Sequence, residues 1–351
     1  LPLEAGKTME RAAGGKASEM TGATLARVGA SLGTASVLGL SRARLQEVPT
    51  TAYFLFGGKC LRSCAFCAQA SGATTGLHHL SRVTWPEFPW TAVEAPLKDA
   101  LERGVFKRVC VQTVESPGTP EAALEFIRRV RALSRSAYVS ASVAPVSVAR
   151  VRLYLETGAT NVGLPIDAAM PEVYAAAKGG PEGAFERAWR VLEKAASLWP
   201  GKISTHLIAG LGETEEQAVH FLARARAAGV TAGLFAFTPV KGTAMAGRKP
   251  PDLQSYRRIQ LAAHFLKGGG DRAEIESLAG RIMRVPLRGL ALQEAREGLP
   301  FETSGCLYCN RPYYNERPGQ VMMNYPRPLR RDEAREALSQ SGLFSDNLLP
   351  L

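Results

Sequence analysis

Cysteine is scarce: six in 351 residues, too few and too clustered for a disulfide scaffold. No run of eighteen apolar residues occurs, so hydropathy offers no membrane-spanning helix. The first residues also lack the basic stretch, apolar run and cleavage site of an export signal. The expectation is a soluble cytoplasmic protein that makes no membrane contact. Acidic residues are in deficit, 32 Asp and Glu against 43 Lys and Arg, which leaves a formal charge of +11. Such a surface attracts anions, but its sign does not choose between nucleic acid, a phosphate-bearing substrate and an acidic protein. What is plentiful is apolar surface: 46% hydrophobic residues exclude a disordered chain and supply the core of one large α/β barrel or two medium domains.

Short β-rich runs recur at TAYFLFGG (51–58), KRVCVQT (107–113), SAYVSASV (136–143), TNVGLP (160–165), KISTHLIAG (202–210) and AGLFAFTP (232–239). Between or after them lie amphipathic, helix-like stretches at 120–133, 146–158, 181–199, 214–229 and 252–266. Strands alternating with longer helices indicate parallel βα units, six of them, in a partial or complete TIM-type (β/α) barrel. GRIMRVPLRG (280–289) reads either as a seventh strand or as part of an appendage, which leaves closure open. The expected organisation is a helical preface over 1–50, a barrel core over 51–265 and a cysteine-containing extension over 266–351. Functional groups of parallel α/β arrays collect on loops at the C-terminal ends of strands. Cys60, Cys64 and Cys67 follow the first strand and Cys110 lies on the second.

A C-x3-C-x2-C loop offers three soft thiolates, a donor set suited to an iron–sulfur cluster, whereas a closed zinc site wants four ligands. A four-iron cluster on three thiolates keeps one iron free for a small molecule.

With Phe66 before its third cysteine, YFLFGGKCLRSCAFCAQA (53–70) resembles the radical S-adenosylmethionine (SAM) superfamily, especially its biotin synthase and lipoyl synthase branch. The resemblance implies a catalytic [4Fe–4S] cluster on Cys60, Cys64 and Cys67 whose open iron chelates SAM. It implies reductive cleavage to methionine and a 5′-deoxyadenosyl radical, an electron donor such as ferredoxin or flavodoxin, and Phe66 as a shield of the cluster. HLIAGLGETEEQ (206–217) is similar to the family's glycine-rich turn by the adenine, which brings in His206, Gly210 and Gly212. GATNVGLPIDAAMPEVY (158–174) matches the region that reaches SAM's ribose or the substrate through Asn161 and Asp167, although N-V-G-L-P-I-D replaces the family's N-x-N-L-D. QTVESPG (112–118), which lacks the family's paired glycines, brings Gln112, Thr113 and Glu115 to the turn around SAM's ammonium group, and Ser140 and Ser142 at the end of the third strand are candidates for its carboxylate. TPVKGTAMA (238–246) resembles the segment after the sixth strand of biotin synthase.

By the same resemblance Cys110 fits a second, deeper cluster, and Cys306 and Cys309 in TSGCLYCNRPYYNERPG supply two more thiolates for this auxiliary iron–sulfur site. Its remaining ligand is open among sulfide, an exogenous group, Ser304, Arg311 and Arg257 or Arg258; a structural zinc on the C-x2-C pair is the alternative. The C-terminal motif resembles one component of the two-protein lipoyl synthases of archaea and some bacteria. That implies sulfur insertion into a protein-bound octanoyl chain on a lipoyl-domain or H-protein-like carrier, together with a second radical SAM subunit. Biotin synthase-like thiolation of another substrate, methyl transfer or rearrangement, including RNA modification, are the alternatives. Nucleic acid is not the expected partner, because the arginines of RRVRAL and PLRRDEAREAL are spaced as on a solvated helix face.

Overall fold

All six expected strands are present, side by side and parallel. In a computed structural model that describes residues 25–76, 78–316 and 319–344, the first to sixth parallel strands are Thr51–Phe56, Arg108–Thr113, Tyr138–Ser142, Asn161–Gly163, Ile203–Ala209 and Thr231–Ala236. Each pairs with the next in chain order. The helices Thr119–Leu133, Val148–Thr157, Ala184–Leu198, Glu215–Ala227 and Leu253–Lys267 lie where the periodicity placed them, and Trp90–Glu102 and Pro171–Lys178 are additional.

Strand parity decides which side chains face the helices. Phe54 and Phe56 of the first strand stack on Phe126 of the Thr119–Leu133 helix at 4.7 and 5.0 Å between ring centroids. Val109, Val111, Val139 and Ala141 are buried in the same apolar cluster. The intervening residues Tyr53, Cys110, Gln112, Ser140 and Ser142 face the other way and line a cavity. The apolar core therefore lies between sheet and helices, and the inner face of the sheet is left for polar chemistry.

One expectation is corrected and two open alternatives are decided. The described part of the N-terminal segment is no helical preface, since Arg27–Ala30 is a strand antiparallel to the first parallel strand and to Glu87–Pro89, followed by one short helix, Leu32–Val37. Gly29, Gly33 and Gly39 make a long helix costly there; residues 1–24 lie outside the described residues. GRIMRVPLRG is not a seventh barrel strand, because Arg281–Arg284 pairs back on Glu276–Leu278 in a two-stranded hairpin. The sheet does not close: its edges are the sixth strand and Glu87–Pro89, and among the described residues no strand joins them. This is an α/β fold with a partial TIM-type barrel.

The C-terminal segment fills the opening. Leu307 accepts a hydrogen bond from Arg108 Nε at 2.7 Å and Tyr308 accepts from the Thr50 and Thr51 hydroxyls, so the segment covers the N-terminal ends of the first and second strands. It then follows the sixth strand. Ser304 Oγ accepts from Leu234 N, the Arg311 guanidinium lies 3.7 Å over the Phe235 ring, and Asn315 Nδ2 donates to Ala236 O at 2.6 Å. Gly305, at φ +109°, comes so near that an added Cβ would lie 3.1 Å from Gly233 Cα. Farther along, the buried Arg257 fixes the carbonyls of Met322 and Met323 at 2.6 and 2.9 Å.

Candidate active site

The loop after the first strand is held from both sides. Cys67 N donates to Cys64 O and Cys60 N to Gln69 O, while Ala65 donates to Ala177 O and accepts from Met245 N. Two backbone N–H groups, of Arg62 and Gln69, point at the sulfurs of Cys60 and Cys67, each at 3.4 Å. Donors so placed favour thiolate charge. Phe66 packs against the main core from the cavity wall.

A cavity of about 490 Å³ extends from this loop into the barrel, and all six cysteines line it. Of the residues expected to bind SAM, Phe66, Gln112, Glu115, Ser140, Ser142, Asp167 and His206 also line it. Their commitments differ from expectation. Glu115 is held by Arg150 Nη1 at 2.7 and 2.9 Å, and Gln112 Nε2 donates to Cys110 Sγ at 2.9 Å. Asn161, Gly210 and Gly212 are not among the lining residues. Asn161 Oδ1 accepts from the lining residues Ser204 and Cys306, and the Glu213 carboxylate caps the N–H groups of Gly210, Leu211 and Gly212. Gly210 sits at φ +99°, and a Cβ there would lie 2.9 Å from Pro251; the turn itself requires this glycine.

The thiols form two trios. Cys67 is pushed up to about 12 by burial, and the charges that oppose its ionisation include Cys64 and Cys60. Cys110 is likewise pushed up to about 12 by burial, with Cys309 and Cys306 adding to it. Burial also raises Cys64 and Cys309. Cys110, Cys306 and Cys309 come from distant parts of the chain. Tyr53, Cys110, Ser140 and Asn161 stand in register across four strands, and the C-terminal segment sets its two thiols against that row. Cys309 Sγ lies 3.4 Å from Tyr53 Oη, and Cys306 Sγ lies 3.6 Å from Asn161 Oδ1 and 3.8 Å from Ser204 Oγ.

Both trios fit metal clusters. Buried thiols that repel one another as thiolates need positive charge to ionise, and a metal supplies it while protons leave. Among the described residues no three metal-binding groups converge as on a single ion. A cluster asks for less convergence, since each thiolate binds its own iron. Beside the second trio the buried Arg108 Nη1 has no hydrogen-bond partner, and the Ser140 hydroxyl has none besides Cys110, whose ionisation it favours. The Arg108 charge favours the thiolates of both Cys110 and Cys309, so its orphan N–H suits cluster sulfur. Of the groups considered for the remaining ligand, Arg257 and Arg258 are committed elsewhere, to Met322, Met323 and Gln340 and to Glu215 and Ser341.

A third group lies at the same wall. Asp167, buried and at φ +68°, exchanges backbone hydrogen bonds with His206 and Ile208 and pairs with Lys178 Nζ at 2.5 Å. Burial works against the Lys178 charge, but Asp167 and Cys64 hold its pKa above the ordinary range. Lys178 was not singled out in the sequence; its signal there is only a lysine before two glycines at a helix end. His206, with Nδ1 3.9 Å from Asp167 Oδ1, is lowered to about 4 by burial despite that carboxylate. A histidine depressed when folded leaves the unfolded chain to bind the proton. Its stabilisation is present above about pH 6.5 and is lost as pH falls toward about 4. Between about pH 7 and pH 4.5, the cluster-free chain should lose about 2–3 kcal/mol more than His206→Gln. Urea unfolding at the two pH values measures this, and equal acid losses would contradict the assignment.

The family profile for the Radical SAM superfamily matches residues 54–225. Over 237 residues the chain is 27% identical to the biotin synthase of Synechococcus sp. (strain JA-3-3Ab), covering 64% of this chain and 70% of that protein. Among solved structures, HydG, a maturase of the [FeFe]-hydrogenase, superposes with a TM-score of 0.50 at 14% identity over 60% of this chain. The chain spans about half of that structure's length, 48%. Methylornithine synthase (PylB) is similar at 17% identity over 61% of this chain and 62% of that one, with a TM-score of 0.46. The HydG likeness concerns the fold alone, and it agrees with the partial barrel. The profile lies over the strands and loop that carry Cys60, Cys64 and Cys67, and over that span the chain matches the radical SAM superfamily.

Proposed function

We propose that this enzyme inserts sulfur at an unactivated carbon, drawing it from a cluster on Cys110, Cys306 and Cys309. The observation that carries the reading is the presence of two thiol trios on one cavity, the first on the loop after the first strand and the second against the register row of Cys110. The match to the superfamily implies a [4Fe–4S] cluster and SAM, and Cys60, Cys64 and Cys67 are the residues to hold that cluster. Bound there, the two supply the one-electron cleavage that starts the reaction. The chain's own part is to hold the substrate between the trios and to keep water out. Phe66, Phe235, Phe237, Ile208 and Val143 give the cavity an apolar lining suited to an alkyl chain.

For the substrate we propose a protein-bound octanoyl chain, with this enzyme as one component of a two-protein lipoyl synthase. The support is the C-terminal motif, the apolar lining and a net charge of +11 that suits an acidic carrier. The 27% identity to a biotin synthase favours a second reading, thiolation of a different substrate by the same apparatus. Anaerobic reconstitution tests the shared core. Iron and labile sulfide per chain, with Mössbauer spectra, should fall by one whole cluster in Cys306→Ala/Cys309→Ala while SAM cleavage survives. Equal metal content in both chains would sink the auxiliary-sulfur reading. Sulfur transfer to an octanoylated carrier, with and without a candidate partner subunit, then separates the two substrates.

A further inference from the structure

A buried donor without a partner also lies beside the first trio. Trp85 lines the cavity, only 3% of its surface is exposed, and its indole Nε1 has no hydrogen-bond partner among the described residues. That N–H is the one polar group of the side chain, and it can only donate. A donor buried in this state is a cost to the fold, so it calls for an acceptor that occupies the cavity. His79 Nδ1, in the hairpin just before it, is unpaired too but does not line the cavity.

The backbone around Trp85 fixes where the indole sits. Trp85 N donates to His78 O at 2.7 Å, Pro86 O accepts from Ala30 N at 3.0 Å, and Glu87–Pro89 pairs with Arg27–Ala30. The side chain is thereby packed in a small apolar cluster with Leu55, Cys60 and Val114, edged by Tyr53, Leu80 and Val83. Only two of these neighbours carry a side-chain acceptor. Tyr53 Oη already accepts from Arg311 N at 3.1 Å and contacts Cys309 Sγ. Cys60 Sγ receives the Arg62 N–H at 3.4 Å and leaves the indole unsatisfied. The acceptor that remains is a bound group, and the one nearest in the fold is what Cys60 would hold.

We infer that Trp85 Nε1 donates a hydrogen bond to a sulfur of the cluster on Cys60, Cys64 and Cys67, and thereby eases reduction of that cluster. The inference rests on the [4Fe–4S] reading of this loop given above. An N–H donor favours the more negative state of its acceptor, and reduction adds one negative charge to the cluster. No proton is transferred; the indole keeps its N–H in both oxidation states. Phenylalanine would fill the same apolar site without an unpaired donor, so this bond is what an indole adds there.

The test uses the full chain, reconstituted anaerobically, as wild type, Trp85→Phe and Cys60→Ala/Cys64→Ala/Cys67→Ala, each grown with tryptophan isotope-labelled at the indole nitrogen. Redox titration followed by electron paramagnetic resonance reads the first cluster, the one that the triple variant removes. Trp85→Phe should keep the iron and sulfide of wild type while reduction becomes about tenfold less favourable, a potential lower by about 59 mV for one electron. In the reduced wild-type cluster, pulsed resonance should detect one coupling to a labelled nitrogen and to its exchangeable proton, and Trp85→Phe should lose both. An unchanged potential, or a wild-type cluster without that coupling, overturns the assignment; an unchanged potential with a raised KM would give the indole to the substrate instead. Where the variant fails to take up iron, the wild-type coupling alone decides. A wild-type chain with no cluster that the triple variant removes overturns the [4Fe–4S] reading, and this inference with it.

Discussion

Cys64→Ala should lose reductive SAM cleavage by at least about a thousandfold, and Cys60→Ala/Cys64→Ala/Cys67→Ala should be no worse, because ligands that act as one unit fail together. The loop is built to hold three sulfurs at once: Cys67 N is bonded to Cys64 O, and the N–H groups of Arg62 and Gln69 serve the two outer cysteines. Removing the middle ligand leaves two cysteines where the cluster needs three. Methionine and 5′-deoxyadenosine, measured under a strong reductant, report the step directly. A single variant that keeps a tenth of wild-type cleavage would show that the three cysteines do not form one site.

The second large effect falls on stability. Lys178→Met should destabilise the chain by roughly 3–5 kcal/mol, since it leaves the Asp167 carboxylate charged and alone inside the protein. Both side chains of this pair are nearly fully buried. Lys178 Nζ has a second acceptor, Pro165 O at 2.7 Å, so the lysine also ties the fourth strand's exit loop to the end of the Pro171–Lys178 helix. Asp167→Asn/Lys178→Met should recover much of the loss. Asparagine keeps the shape and tolerates the left-handed backbone found at residue 167. Denaturant midpoints of the cluster-free chains decide the matter; single and double variants of equal stability would mean that the cost comes from lost packing and not from an unpaired charge.

How much of this could be read beforehand follows from distance along the chain. The six strands were legible because each is a short β-rich run followed by a helix of the right length, and the first trio because its spacing is local. Asp167 and His206 lay in motifs that could be matched. Lys178, Tyr53 and Arg108 carry no such signal. Tyr53 reaches Cys309 across 256 residues of sequence, and Arg108 reaches Leu307 across 199. A parity rule finds two of them: in YFLF and RVCVQ every second residue faces the cavity, which places Tyr53, Arg108 and Cys110 on one side and Phe54, Val109 and Val111 on the other. The N-terminal strand is not legible because four residues carry too little periodicity to compete with a helical reading.

The wall made by the C-terminal segment also sets an order of biosynthesis. The first trio lies within eight consecutive residues, so it can take up metal on a chain that is still emerging. The second trio exists only after the stretch around Cys306 and Cys309 has docked on Thr50, Thr51 and Arg108. Until that moment the lower end of the barrel has no floor, and anything bound at the upper trio is open to oxygen from below. A cluster on Cys110, Cys306 and Cys309, as proposed, would therefore have to be taken up as that segment docks, on a nearly finished protein.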